Sequence, residues 1–178
     1  MRDGVLTFWF EQIKPKQWWT ASRKLDETIR TRFGMLWQQA SAGELFAWRS
    51  DAKGQLAEII LLDQFSRNIH RNTPQAFAQD GMALVLSQEA RHAGALDDLD
   101  EGGRTFLLMP YMHSESALVH AQAEPLFRQY ASASSYKFLL RHTAIVDRFG
   151  RYPHRNDILG RASTEDETKF LKLPGSSF

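Results

Sequence analysis

The stretch "GQLAEIILLDQF", residues 54–65, decides the fold. Leu56, Ile59, Ile60, Leu61, Leu62 and Phe65 leave almost no polar face, which predicts a central helix covered on several sides, with Asp63 in a buried setting. Upstream, Leu25, Ile29, Phe33, Leu36, Trp37 and Ala40 mark one face of an amphipathic helix, while Lys24, Asp26, Arg30 and Gln38 lie elsewhere on it. A first short helix is expected after Asp3, with Leu6, Trp9 and Phe10 inward and "KPKQWW" as a connecting loop. Downstream, "DGMALVLSQEARHAG" predicts a helix closed by Gly94, and "ALDDLDEGG" a solvated connection. The segment 103–127 reads as helix on both sides of Pro110, which should kink or break it. "YKFLLRHTAIVDRF" is a further helix, and "STEDETKFL" opens with a capping box from Thr164 to Glu167.

No alternating β-branched run is flanked by a hairpin turn. The reading is therefore all-α: about seven to eight helices joined by short loops. The expected organisation is a single domain over 1–178, with 172–178 as a loose tail. A chain of 178 residues buries roughly 70% of its unfolded surface, enough for a core without staples. With 22 Lys plus Arg against 21 Asp plus Glu there is no global field to draw nucleic acid or an acidic membrane, so any charge-based recognition is local. The sequence contains no Cys, which excludes thiol catalysis and thiolate metal sites and fits a reducing cytoplasm. "MRDGVLTFWFEQ" lacks a small-residue cleavage site, and no apolar run approaches a membrane span.

A second stretch raises the question of function. "DRFGRYPHRN", 147–156, aligns without a gap on "DQFSRNIHRN", 63–72, and each follows an apolar run. Duplication of a helix-plus-loop unit and chance both remain open. An Asp in the last turn of a helix faces the negative end of the macrodipole unless a cation offsets it. Arg67, four residues after Asp63, and Arg151, four after Asp147, are the expected partners, so Asp63 and Asp147 are read as structural pairs. After those pairings, about three guanidinium groups among Arg67, Arg71, Arg148, Arg151 and Arg155 would be free to grip a carboxylate or phosphate.

His142 lies on the apolar stripe of Phe138, Ile145 and Phe149, pointing at the core or at a cavity within it. In "MPYMHSES", His113 and Glu115 follow a proline that frees backbone carbonyls; the bland reading is that Ser114 or Ser116 caps a restarted helix. No pair of histidines has the spacing of a helical zinc motif, so no metal is assigned. No Gly-rich phosphate loop and no G-x-S-x-G elbow is present, and no cofactor is assigned.

"FWF", "WW", "LLDQFSRNIHRNTPQAFAQD", "FLLMPYMHSES" and "RFGRYPHRN" with "LGRASTEDETKFL" together resemble the bacterial domain-of-unknown-function family 924 over nearly the whole chain. The resemblance implies a tetratricopeptide-like (TPR-like) fold, with antiparallel helix pairs in a right-handed array, and transfers no activity. The family pattern has Pro where Ser66 stands, and often Tyr and Gly where His70 and Asn72 stand, which favours His154 over His70 as a site residue.

Two functional readings follow. In the first, the loops converge on a helix-lined pocket for a small anionic metabolite. Arg67, Arg71, Arg151, His154, Arg155 and Asn156 would bind it, and His113, Glu115 and His142 would orient it or move a proton. In the second, the arginine loops are struts of a helical-repeat module that binds a protein partner. Buried motif residues favour the first and a wide exposed apolar groove the second. The residues leave open the reaction, the ligand's identity and the oligomeric state.

Overall fold

The computed structural model describes residues 1–177, and every regular element among them is helical. Helix α1 (Arg2–Thr7) runs on into a π-helical turn (Phe8–Gln12), and α2 (Pro15–Trp18) leads to the long α3 (Arg23–Ser41). The buried segment forms α4 (Ala52–Ile60), passes through a second π turn (Leu61–Phe65) and continues as α5 (Ser66–Ile69). Then come α6 (Asp80–His92), α7 (Glu101–His113), α8 (Ala117–Tyr130), α9 (Ala133–Phe149) and α10 (Glu165–Phe170). The links Ser114–Ser116 and Ala131–Ser132 are too short for anything but antiparallel neighbours, so α7, α8 and α9 pack side by side.

Side-chain caps start most of the longer helices. Ser22, Asp51, Asp100, Ser116, Ser132 and Thr164 each accept a backbone N–H of the following turn, satisfying a donor that the helix itself leaves unpaired. The Thr164–Glu167 capping box is present in both directions. The first helix begins earlier than expected, placing Asp3 within its first turn rather than at its cap. Part of "KPKQWW" is helical: Trp18 stacks on Trp9 and donates its Nε1–H to the Trp9 carbonyl.

Helix α7 passes through Pro110 and breaks only at Ser114. Proline removes one donor and crowds the preceding turn. The buried Ser87 of α6 donates its hydroxyl to the Leu107 carbonyl in that turn. Ser116 caps the restarted helix, as the bland reading of "HSES" held.

Helix α4 is packed by α1, α6 and α7, and α3 covers the π turn and α5 that follow it; Leu56, Ile59, Ile60, Leu61 and Leu62 are all buried. Aromatic rings of Phe8, Trp9, Phe65 and Phe106 meet edge to face around it. A smaller cluster of Ile145, Val146 and Tyr152 lies under α9, flanked by Phe149 and Phe170. Residues 172–177, expected as a loose tail, fold back in turns: Ser176 is buried and donates its hydroxyl to the Leu171 carbonyl. The last residue of that tail, 178, lies outside the described residues.

The entry to α4 depends on Gly54. A Cβ there would lie 1.8 Å from the Trp48 carbonyl oxygen, a backbone atom that cannot rotate away. Gly54→Ala is expected to lower stability by about 1–3 kcal/mol in urea melts, although alanine is the better helix former by ~1 kcal/mol. A neutral or stabilised variant would show that the Trp48 turn yields freely.

Candidate functional site

Asp63 lies in the π turn that follows α4 and is fully buried. Its Oδ1 accepts the Nδ1–H of His113 at 2.7 Å and lies 3.2 Å from Arg67, while its Oδ2 accepts the Gln64 amide at 2.6 Å. Burial pushes the carboxyl up, but His113, the Arg67 guanidinium and the hydrogen bonds outweigh it and hold it below the usual carboxylate range. On His113, burial and then Arg67 act in the other direction, holding the imidazole below its ordinary value despite Asp63. Near neutral pH this is an ionised carboxylate beside a neutral imidazole. Because a carboxylate only accepts, the His113 proton sits on Nδ1 and Nε2 keeps its lone pair, on a side chain that is 14% exposed.

The last carbonyls of α7 have no partner within the helix, and side chains from distant segments supply it. The Tyr152 hydroxyl donates to the Met112 carbonyl at 2.6 Å and Arg155 to that of His113 at 3.0 Å, while His120 Nε2 donates to that of Ser114 at 2.9 Å. The last bond fixes the His120 tautomer, leaving Nδ1 to accept from Thr143 at 2.9 Å. Glu115 accepts the Tyr152 N–H at 2.7 Å and two bonds from Arg161 at 2.6 and 2.9 Å. These bonds hold the turn at 152–155 against the α7–α8 junction.

Arg67 and Arg155 meet at one acid. Arg67 places two bonds on Asp80, at 2.8 and 3.0 Å, and a third on its own helix at the Asp63 carbonyl. Arg155 reaches the same Asp80 at 3.1 Å and lies between the rings of Phe77 and Tyr152, 4.6 and 4.8 Å from their centroids. It is 5% exposed, and its Nε–H has no acceptor among the described residues.

The expected site residues therefore divide. His113, Glu115, His154, Arg155 and Arg67 share one neighbourhood, with the rings of His142 and His154 each 5.7 Å from Tyr152. His142 is buried, donates Nδ1–H to the Phe138 carbonyl at 2.8 Å and is pushed down to about 3 by burial, so it does not titrate near neutrality. Asn156 is buried too, bonded to Ser163 and Arg161. Arg71 is elsewhere, paired with Asp26 of α3 at 2.7 and 2.8 Å.

Two expectations are corrected. Arg151 does not pair with Asp147: α9 ends at Phe149, Gly150 turns left-handed at φ 68°, and Arg151 leaves the helix to grip Glu167 at 2.7 and 2.8 Å. Asp147 is exposed, and Arg151 lines a surface depression of about 460 Å³ with Arg148 and Phe149, apart from the bonds of His113. Nor are three guanidiniums free, because Arg67, Arg71, Arg151 and Arg155 all hold carboxylates; Arg148 forms no ion pair among the described residues and stacks on Phe149 at 4.6 Å.

Sequence reasoning missed Asp80, Tyr152, His120 and Arg161. Asp80 stands in the first turn of α6, where an acid is expected for the helix dipole alone, so nothing marked it out. Among the described residues, no group of three His, Asp or Glu is arranged to hold a metal ion, and no helix is long and apolar enough to cross a membrane.

Residues 5–175 match the model of a family described as bacterial protein of unknown function, DUF924. The chain belongs to this family. It is also similar to a solved structure of a protein of unknown function from Agrobacterium tumefaciens, at 31% identity, with 96% of each chain covered and a TM-score of 0.91. Among curated protein sequences none matches. Neither likeness assigns an activity, so the chemistry of this DUF924 protein is argued from its own residues.

The burial of Asp63 fixes one prediction. Asp63→Ala leaves His113 without its acceptor and Arg67 with one carboxylate fewer, so stability should fall by about 3–5 kcal/mol. Urea melts within ~0.5 kcal/mol of the parent would show that the network closes without it.

The histidines beside Tyr152 fix another. Burial holds His142 at about 3 and holds His154, beside Arg155, at about 4, whereas both titrate near ~6.5 in the unfolded chain. The unfolded state then binds more protons, so the stability that these groups contribute is present above pH ~6.5 and lost as pH falls towards 4. Unfolding near pH 5 should take up about one to two protons per molecule, read from the pH dependence of urea melts. A flat profile from pH 7 to 5 would contradict it.

Proposed function

We propose that this protein binds a small polar molecule carrying an anionic group over the Asp63–His113 pair, and that His113 exchanges a proton with it. The observation that carries the reading is the buried Asp63 on the Nδ1–H of His113, which orients the ring and leaves Nε2 as an acceptor on a side chain that reaches solvent in part. This is how a carboxylate fixes the tautomer of a general base. Positioning is supplied by Tyr152, Glu115 and Arg155, which hold the helix end that bears His113. Glu115 has both oxygens engaged by Arg161 and the Tyr152 N–H, so its part is to position rather than to transfer a proton. Burial of motif residues such as Asp63, Arg155 and Asn156 also supports a site over an extended interaction surface. The cysteine-free composition suits the reducing cytoplasm, the compartment we assign.

The test is carbethoxylation by diethyl pyrocarbonate, which attacks neutral imidazole, mapped by mass spectrometry with exposed His92 as internal reference. His113 should react at pH 7, and its pH midpoint should lie below the ~6.5 of an unperturbed imidazole. A midpoint above that value, or no reaction at His113 while His92 reacts, would remove the proton-exchange reading.

A further inference from the structure

We infer that the fork formed by Arg67 and Arg155 is a subsite for a ligand's carboxylate, and that the Asp80 side chain occupies it as an internal stand-in until a ligand displaces it. The inference rests on the reading of His113 as the proton-exchanging group, and it specifies the anionic group of that ligand.

The fork has the shape of a carboxylate. Arg67 donates to both Asp80 oxygens, one from each Nη, and Arg155 adds a third bond to one of them. Such parallel N–H donors match a flat two-oxygen acceptor better than a tetrahedral one. The fork is also adjacent to the proposed chemistry, because the guanidinium of Arg155 that meets Asp80 donates to the carbonyl of His113.

Arg155 is held by less than a buried guanidinium needs. It is 5% exposed, it lies against two aromatic faces, and its Nε–H is unpaired. A strut whose only purpose is stability gains nothing from a buried donor left without an acceptor. Asp63 also holds Arg67, offering its Nη1 a carboxylate oxygen at 3.2 Å and a carbonyl at 2.9 Å, while Nη2 is held by Asp80.

Asp80 has a route out once a ligand carboxylate takes over its bonds. Its side chain is 18% exposed and stands in the first turn of α6, where no side chain caps the helix. Rotation about its first torsion takes the carboxylate into solvent while keeping it near the positive end of the helix. A tethered carboxylate competes with a free one at high effective concentration, so the subsite should be weak in the parent and stronger once Asp80 is neutralised.

Isothermal titration with sodium acetate, against sodium phosphate and sodium chloride at equal ionic strength, tests this on the full chain. Asp80→Asn should bind acetate at least about tenfold more tightly than the parent, and adding Arg155→Gln should abolish the gain. Equal affinity in the parent and Asp80→Asn, or a gain that survives Arg155→Gln, overturns the subsite. Tighter phosphate than acetate binding in Asp80→Asn overturns the carboxylate assignment. If Asp80→Asn does not fold, the parent decides: acetate must raise its melting temperature beyond chloride, and Arg155→Lys must remove that rise. Carbethoxylation of His113 on the same proteins separates the two readings. Normal reactivity without acetate binding sinks the subsite alone, and acetate binding with an unreactive His113 sinks the proton exchange alone.

Discussion

The fold is organised around a charge placed where none is expected. Asp63 sits among Leu61, Leu62, Gln64 and Phe65, all buried, at the centre of the helical array. Taking an ionised carboxylate out of water costs several kcal/mol unless partners replace the lost solvation. Those partners come from three directions along the chain: Gln64 beside it, Arg67 one turn on, and His113 from the end of α7. The π turn over Leu61–Phe65 belongs to the same arrangement. An inserted residue in a helix rotates everything after it relative to everything before, so a segment with apolar residues all round can still bring one acid to face α7. Asp63 thereby ties the central helix to the α7–α8 junction by hydrogen bonds as well as by apolar contact.

Charge compensation then spreads outward. Arg67 needs more than Asp63 alone and takes Asp80; Asp80 is shared with Arg155; Arg155 and Tyr152 bind the terminal carbonyls of α7; Glu115 holds Tyr152 and Arg161. Across this set Asp63, Asp80 and Glu115 balance Arg67, Arg155 and Arg161, and neutral His113 adds no charge. A balanced network has no standing excess of positive charge with which to attract an anion from a distance. Selectivity at such a surface must come from the arrangement of donors and from what a ligand replaces, which is why the partial occupancy of Arg155's donors carries more information than the count of arginines.

The helical class and the burial of Asp63 were legible because both follow from local periodicity: apolar residues all round residues 56–65 leave an acid no route to solvent. The capping box at Thr164 was legible for the same reason, since its two bonds span three residues. Pairings that cross the chain were not. Arg155 and Asp80 are 75 residues apart, and no local pattern distinguishes Asp80 from any acid that opens a helix. The free-arginine count failed in the same way, because the acids that neutralise Arg71 and Arg151 lie on α3 and α10. Tyr152 was passed over inside a motif read for its charges, although an aromatic set among arginines is itself a signal for stacking.

The two similar stretches show how little the letters alone decide. In the first, Ser66 follows Phe65 and the helix continues, so Arg67 stays one turn from Asp63 and their expected pairing holds. In the second, Gly150 adopts φ 68° and ends the helix after Phe149, so Arg151 is no longer a helical neighbour of Asp147. Pro153 then starts a short 3-10 turn that carries Arg155 inward, whereas its counterpart Arg71 remains at the surface on Asp26. One serine against one glycine changes which arginine each stretch can deliver. The consequence is that Arg67, the fifth residue of one stretch, and Arg155, the ninth of the other, arrive at the same carboxylate by different backbone routes, and it is their meeting at Asp80 that builds the fork.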